Sequence, residues 1–348
     1  MKKKGTWLLP AALILSTALG LAGCGKTDTK TAAASGAAAS GAASPAAAAA
    51  TAAKFPEKLN IGYISANNSQ TITGPEGWAQ EQGKLQQELG KYGVKEFKYI
   101  PFPNGPNLNE AMTAGQVDIG IYGDTPAING RSAGLKGRLI NISQSGMNAW
   151  LVTKEGSGIS SVADLKGKKV ATSQGSYMNR YLVGLLKEQG LDKDVKLVHL
   201  LPPDGEAALA RGEIAAYAYP SGSGPAILKK GGYTVIDEAK KHPALRGSSV
   251  TVVREAYLKD NPEFPKVWNQ LRKDAIADAK KNVEPFYQLL AKTTGFSVEV
   301  VKESYPFDQW KEEDLAPDAI QLVEGTKAWL VQEGLAKKDF ALDEWIYK

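Results

Sequence analysis

Short apolar runs alternate with helical patterns from Leu59 to Ile236, and this alternation restricts the fold more than any other feature of the sequence. Runs such as 59–64, 97–102 and 117–122 are predicted to be strands, and each is followed by a segment whose apolar residues have helical spacing. Alternation of this kind is typical of parallel sheets covered by helices. After residue 253 the pattern is mostly helical. The sequence therefore predicts an α/β fold with two lobes and C-terminal helices that pack on the first lobe.

The N-terminal segment predicts export and lipidation. Residues 1–23 combine a lysine-rich start with an apolar run over 7–19, which is typical of a secretory signal and is short for a membrane span. The Leu-Ala-Gly-Cys sequence that ends at Cys24 resembles a bacterial lipobox, which implies cleavage before Cys24 and a lipid on its sulfur. An ordinary signal peptide or an N-terminal anchor helix is the alternative.

Residues 24–54 are predicted to form a disordered tether behind the lipidated cysteine. They are rich in Ala, Ser, Gly and Thr and contain almost no large apolar side chain, so they cannot bury enough surface to offset the entropy of ordering. Because Cys24 is the only cysteine, the folded part has no disulfide, thiol nucleophile or cysteine metal ligand.

Charge and motif content exclude several classes of function. Of the formal charge of +5, three units belong to lysines of the signal, so the rest is close to neutral and no nucleic-acid binding is expected. Hydrolase elbows, phosphate loops and zinc-protease motifs are absent. His199 is predicted to pack against the core and His242 to be exposed. Asp124 is the one candidate acid or base, without a partner at triad spacing. The chain is therefore predicted not to be an enzyme and to need no cofactor or metal.

Two segments between a strand and a helix have compositions suited to an anion. The N-terminus of a helix offers unpaired N–H groups and positive potential, and ligands of open α/β sheets bind beyond the carboxyl ends of the strands. If the two segments face each other, they would hold a sulfonate, sulfate or nitrate group without a buried arginine. Alternatively, the serine only caps its helix and the aspartate only forms hydrogen bonds with the backbone of its turn. The candidate residues are Gly123, Asp124, Thr125, Gly175 and Ser176.

Aromatic and amide side chains complete the predicted site. Tyr177, Tyr217 and Tyr219 stand near strand ends or a helix start and could form an apolar wall with polar tips, although ordinary packing explains each alone. Asn67 and Asn68 belong to a polar loop after the first strand and can add hydrogen bonds.

Five segments resemble, in the expected order, ABC-transporter substrate-binding proteins of the aliphatic-sulfonate, taurine and nitrate group. They are FPNGP at 102–106, AGQVD at 114–118, GDTP at 123–126, VADLKGKKVA at 162–171 and the Gly-Ser pair at 175–176. The resemblance implies a type II periplasmic-binding-protein-like fold, in which a two-strand hinge joins two α/β lobes that close on a ligand. Lobe one is then expected to comprise 55–144 plus 248–348, and lobe two 145–247.

The resemblance also implies a function. A member of this group is the solute-binding component of an ABC importer, here expected to be a monomer held by its lipid on the outer face of the cell membrane. It would capture a small organic anion, in particular an aliphatic sulfonate, and pass it to a permease that a separate ATPase drives. The hydroxyls of Thr125 and Ser176 are the donors that the family pattern implies, assisted by nearby backbone N–H groups.

One segment departs from the family pattern. A looser match is the Arg211-Gly212 pair, after which sulfonate binders usually carry an acidic residue, a Trp and then a Trp-Asp-Pro-like run. Here Ala215 stands in place of the acidic residue and Pro220-Ser221 in place of the Trp-Asp pair. This segment is expected to contact the tail of the ligand, so the ligand stays open among sulfonates, taurine, nitrate and a pyrimidine precursor of thiamine. An enzyme or a sensor on the same fold is the alternative from another class.

Overall fold

The computed structural model describes residues 54–348. The predicted signal peptide, the predicted lipidation site Cys24 and nearly all of the predicted tether lie outside the described residues. Within 54–348, every helix is too short or too polar to cross a membrane.

The described chain alternates strands and helices before a helical C-terminal part, as the apolar pattern predicts. The strands are β1 (Lys58–Ile64), β2 (Glu96–Phe102), β3 (Ile119–Gly123), β4 (Gly137–Met147), β5 (Ala149–Lys154), β6 (Lys169–Thr172), β7 (Lys196–His199), β8 (Ala216–Pro220), β9 (Tyr233–Glu238) and β10 (Gly247–Arg254). The helices are α1 (Pro75–Glu81), α2 (Lys84–Gly90), α3 (Gly105–Thr113), α4 (Asp124–Ser132), α5 (Tyr177–Glu188), α6 (Pro202–Ala210), α7 (Ser223–Lys229), α8 (Glu255–Asp260), α9 (Phe264–Lys281), α10 (Val283–Thr294), α11 (Val298–Ser304), α12 (Pro317–Gln332) and α13 (Leu342–Trp345).

Two five-stranded sheets form the two lobes, with strand orders β2-β1-β3-β10-β4 and β7-β6-β8-β5-β9. Both sheets are mixed: each contains the parallel pairs that the alternation predicts and antiparallel pairs as well. β10 runs antiparallel to β3 and β4, and β5 runs antiparallel to β8 and β9. The reason is the passage between lobes: β4 leads out of the first sheet and β10 leads back into it, so the two neighbours run in opposite directions.

The chain passes between the sheets twice, which gives the predicted two-strand hinge. Only Asn148 separates β4 from β5, and residues 239–246 lead from β9 back to β10. These crossings lie near the predicted lobe boundaries at 145 and 247, which stay a prediction.

The C-terminal helices pack on the first lobe. Ile61 of β1, Trp268 of α9 and Phe286 of α10 belong to one buried cluster, and Leu108 of α3 and Val323 of α12 belong to another. Burial of these large side chains on both faces of the first sheet supplies most of the hydrophobic stabilisation of the lobe.

Local geometry changes one predicted helix. Trp78, Leu85 and Leu89 have helical spacing, which predicts one helix over 75–92. The structure instead has α1 and α2, separated at Gly83, whose φ of 71° lies in the left-handed region. A residue in this conformation cannot continue a right-handed helix, and glycine adopts it without steric cost.

Candidate functional site

A cavity of about 260 Å³ lies between the two lobes. Its wall takes residues from the carboxyl ends of β1, β2 and β3 in the first sheet and of β6 and β8 in the second. This is the position at which open α/β sheets bind their ligands, and clefts between lobes are preferred ligand sites. The cavity therefore lies between the two segments that the sequence predicted to face each other.

The structure brings some of the predicted site residues to this cavity and leaves the others behind its wall. The residues that line it are Asn67, Gly123, Ser176 and Tyr177. The residues that do not are Asn68, Asp124, Thr125, Gly175, Tyr217 and Tyr219.

Asp124 and Thr125 are buried, because Gly123-Asp124-Thr125 is the start of α4 and not a loop. Asp124 Oδ1 accepts from the backbone N of Thr125 at 2.6 Å and from its Oγ1 at 3.1 Å. Asp124 Oδ2 accepts from Ser248 N and Thr326 Oγ1, both at 3.2 Å. Burial raises the pKa of Asp124, whereas the Arg180 guanidinium and these hydrogen bonds act in the opposite direction. The Thr125 hydroxyl is thus already committed inside the protein.

The N-terminus of α5 is different, because it presents free backbone donors. Ser176 is the N-cap: its Oγ accepts from Asn179 N at 3.2 Å and donates to Ser173 O at 2.6 Å, so its hydrogen is also committed. The first N–H groups of a helix have no partner within the helix. Tyr177 and Met178 both line the cavity, and their backbone N–H groups have no hydrogen-bond acceptor within residues 54–348.

His199 supports this terminus from the side, and its predicted burial is wrong. β7 is the edge strand of the second sheet, so the imidazole is exposed, and its Nδ1 accepts from Gln174 N at 2.9 Å. The prediction that His242 is exposed is also wrong. It is half-buried between two carboxylates, with Nδ1 2.7 Å from Glu188 Oε2 and Nε2 3.0 Å from Asp237 Oδ1. Neither histidine lines the cavity.

Of the three predicted tyrosines, Tyr177 alone reaches the wall. Its hydroxyl donates to Asn148 O at 3.1 Å and accepts from Ser221 N at 2.9 Å, and burial raises its pKa to about 12. Tyr217 and Tyr219 stand two residues apart on β8 and therefore share one face of the sheet. That face is covered by helices, and the two rings pack on each other with centroids 4.3 Å apart.

Sequence reasoning missed an aromatic part of the wall, which the C-terminal helices contribute. Phe296 follows α10, and Tyr305 and Trp310 follow α11. The Tyr305 and Trp310 rings are nearly parallel, at 11° with centroids 6.4 Å apart. An aromatic-rich loop at 305–310, between two predicted helices, is the sequence signal that could have indicated them.

The wall carries no full charge: among the described residues, its lining contains no Lys, Arg, His, Asp or Glu. Its polar groups are hydroxyls, amides and backbone. Asn67, for example, donates from Nδ2 to Thr293 O at 2.9 Å, so it ties the β1 loop to α10. Any anion held here is bound by neutral donors.

The two lobes touch across the cavity. Tyr305 Oη donates to Ser221 O at 3.4 Å, and a Cβ on Gly222 would lie 2.4 Å from the ring of Phe296. On the outer surface, Lys229 Nζ lies 2.5 Å from Glu299 Oε1. These contacts join α7 of the second lobe to the segment around α11, so the structure has the lobes closed on the cavity.

Comparison with known proteins places this fold and this segment order in a family. The family model described as NMT1/THI5 like matches residues 91–285. The chain belongs to the NMT1/THI5-like family. The matched part contains both helix starts at the cavity but neither Asn67 nor the aromatic residues after 293.

Relatives of this family member support the resemblance to sulfonate-binding proteins. A protein of Escherichia coli (strain K12), named for binding aliphatic sulfonates, is 29% identical over 253 residues, covering 72% of this chain and 76% of the relative. The crystal structure of the periplasmic aliphatic sulphonate binding protein SsuA from Escherichia coli covers 84% of this chain and 98% of its own, with 26% identity and a TM-score of 0.68. The predicted family and fold are thereby confirmed.

The same fold also occurs in an enzyme. The desulfurization enzyme DSZB matches with a TM-score of 0.65 and 19% identity, covering 82% of this chain and 96% of the enzyme. At this identity the likeness concerns the fold alone.

Proposed function

We propose that this family member is the extracytoplasmic solute-binding component of an ABC importer. It captures a small organic anion, in particular a sulfonate, between its lobes and delivers it to a permease driven by a separate ATPase. It acts as a monomer, held at the outer face of the cell membrane by a lipid on Cys24. The relatives named above support this function by their names, and the closed cavity supports it by its chemistry.

The free N-terminus of α5 at a cavity without charged side chains is the observation that carries the proposal. The N–H groups of Tyr177 and Met178 and the helix dipole favour a negative group at this point. A sulfonate spreads its charge over three oxygens, each of which can accept such hydrogen bonds. The side-chain amides of Asn104 and Gln174, which line the same cavity, can supply the remaining donors.

This assignment changes the role of two predicted residues. Ser176 holds the first turn of α5 in place, and the ligand meets the backbone N–H groups that follow it. Thr125 stabilises the start of α4 through Asp124 and has no direct contact with the ligand. The predicted role of Gly123 as part of the wall stays in the proposal.

Gln174→Glu tests the anion site with little change of shape. The variant places a carboxylate at the cavity, and repulsion between like charges a few ångströms apart should weaken propanesulfonate binding about tenfold or more. Gln189→Glu is the matched control, because Gln189 is likewise exposed but caps the opposite end of α5. Isothermal titration calorimetry gives the dissociation constant of each variant. Equal affinities of the two variants would show that the anion does not bind at this end of α5.

The same titration decides between ligand classes for the unmodified protein. Propanesulfonate, taurine, sulfate, nitrate and 4-amino-2-methylpyrimidine represent the ligands that the family resemblance leaves open. We expect saturable one-to-one binding of propanesulfonate. Binding of the pyrimidine in place of every sulfonate would assign the protein to thiamine-precursor uptake instead.

We also propose that the protein binds its ligand without transforming it. Asp124, the one candidate acid or base, is buried behind the cavity wall, and residues 54–348 contain no cysteine. Prolonged incubation with a sulfonate that binds should therefore release no sulfite. Catalytic release of sulfite, abolished by Asp124→Asn while binding is retained, would show an enzyme instead.

A further inference from the structure

The aromatic wall of the cavity bears on the tail of the ligand. Phe296, Tyr305 and Trp310 come from the part of the chain beyond residue 285, where the family match ends. The family match therefore says nothing about this wall, and its chemistry has to be taken from the structure.

The aromatic side chains form a flat apolar surface, and one of them, Phe296, could pair with a ring of the ligand. Trp310 packs edge-on against Phe286 and Phe307, at interplanar angles of 86° and 76°, which fixes the orientation of its indole. Phe296 is half-buried and has no aromatic partner within 54–348. Aromatic rings pair favourably in offset-stacked or edge-to-face arrangements, so a flat ring in the ligand would gain more here than a flexible chain.

The wall also lacks any group that could neutralise a cation. A buried ammonium needs a carboxylate or several hydrogen-bond acceptors to offset the loss of its water. The lining described above has no Asp or Glu, and Ala215, which stands where sulfonate binders carry an acidic residue, does not line the cavity either. An amino-bearing tail would therefore find no carboxylate here, and only neutral oxygens could accept its hydrogen bonds.

We propose that the cavity selects sulfonates whose tail is an uncharged ring or a compact apolar group, and that it discriminates against amino-bearing sulfonates. This inference rests on the proposed function, because it assumes that the anionic group binds at the start of α5. Its ligand class is thus an aryl or cycloalkyl sulfonate, with the ring lying against Phe296 and Trp310.

Calorimetric titration of three ligands into the unmodified protein tests the selectivity. Propanesulfonate and taurine have the same number of heavy atoms and differ by a methyl group in place of an ammonium. Taurine should bind at least about tenfold more weakly than propanesulfonate, because its ammonium loses water without a carboxylate partner. Benzenesulfonate should bind more tightly than propanesulfonate. Cation–π attraction to the wall would reverse the order of the first pair.

Phe296→Leu distinguishes the contribution of aromatic pairing to affinity from that of general apolar contact. The variant retains an apolar side chain, so the ratio of benzenesulfonate to propanesulfonate affinity should fall by roughly threefold to tenfold, whatever the change in absolute affinity. Phe97→Leu is the control, because Phe97 is also half-buried but lies on β2 outside the cavity. A constant ratio in Phe296→Leu would contradict the assigned position of the ring.

The outcomes distinguish the inference from the function on which it rests. Tight taurine binding, equal to that of propanesulfonate, would overturn the selectivity and leave a sulfonate-binding protein. Failure of all three sulfonates to bind would overturn the proposed function and the inference together.

Discussion

Asp164 shows how a single side chain fixes a turn of the family pattern. Its Oδ2 accepts from the backbone N of Ser160 and of Ser161, both at 2.9 Å, and from their hydroxyls at 3.1 and 2.9 Å. These bonds close the start of the short helix at 162–165, within the segment VADLKGKKVA that supports the resemblance. The segment is therefore a structural feature of the second lobe and carries no information about the ligand.

The same hydrogen bonds predict a pH dependence. The backbone N–H of Ser160, followed by the groups of Ser161, lowers the pKa of Asp164 from 3.8 to about 2. Because the folded-state pKa is the lower one, the stabilisation is present above pH 3.8 and is lost as the pH falls through about 2. NMR titration of the carboxyl should show this pKa, and Ser161→Ala should raise it. A value near 3.8 in the unmodified protein would contradict the hydrogen-bond pattern.

A methyl group added at Gly222 is expected to hinder closure of the two lobes. It has a φ of 83°, and an added Cβ would lie 2.4 Å from the ring of Phe296 in the other lobe. Gly222→Ala should cost roughly 1–3 kcal/mol of folding stability through backbone strain and should also weaken ligand binding. Gly156→Ala is the matched control, since Gly156 has a φ of 72° with nothing within 4 Å of the added carbon.

The two glycine variants therefore separate strain from contact. Chemical unfolding should show similar losses of stability, whereas calorimetry should show weaker binding only in Gly222→Ala. Equal ligand affinities would mean that the contact between Gly222 and Phe296 has no part in the bound state.

At the scale of elements, local signals were sufficient for most strands and helices and for the start of α5, but not for the break at Gly83 or for α13. Ser176 acts as N-cap through bonds to residues within three positions, so its role follows from the sequence around it. The start of α4 was harder to locate. The sequence places Asp124 between a strand and a helix, whereas α4 already begins at this residue and Pro126 stands in its first turn.

Properties that depend on distant residues could not be predicted. Tyr217 and Tyr219 lie at a strand end, but only the packing of helices on that face of β8 decides that they point away from the cavity. Apart from the aromatic-rich loop at 305–310, no local feature of the sequence marks Phe296 and Trp310 as part of a binding site. They reach the site because the C-terminal helices fold back on the first sheet, which is a tertiary contact.

The C-terminal element shows the same dependence on tertiary contacts. The last residues, 344–348, follow the final helical pattern of the sequence and look like a tail, yet Leu342–Trp345 is a helix, Trp345 is buried, and Ile346 pairs with Leu139 of β4. Trp345→Ala should lower the free energy of unfolding by about 3–5 kcal/mol, because it removes a large buried side chain. Trp329→Ala, at a half-buried position of α12, should cost less in the same urea titration. Equal losses would contradict the packed C-terminus.

At the scale of the whole molecule, the contacts between the lobes predict a charge-swap effect on affinity. Lys229 of α7 and Glu299 of α11 form an ion pair at 2.5 Å across the cleft. Glu299→Lys replaces attraction by repulsion in the closed form and should weaken ligand binding roughly twofold to fivefold, since exposed ion pairs contribute little. The double variant Lys229→Glu with Glu299→Lys should regain most of the affinity. Equal weakening in the single and double variants would exclude this pair from closure.

Closure also connects the chemistry of the site with transport. The donors at the start of α5 belong to the second lobe, whereas the aromatic wall belongs to segments packed on the first. A ligand that touches both favours the closed form by its differential affinity for that form. The proposed function depends on this coupling, because a permease can then distinguish loaded from empty protein.

The most direct test is a crystal structure with 4-bromobenzenesulfonate, in which anomalous scattering locates the bromine. We predict the sulfonate oxygens within hydrogen-bonding distance of the N–H groups of Tyr177 and Met178, and the bromine beside Phe296 and Trp310. A bromine outside the cavity, or a sulfonate group distant from the start of α5, would contradict the account.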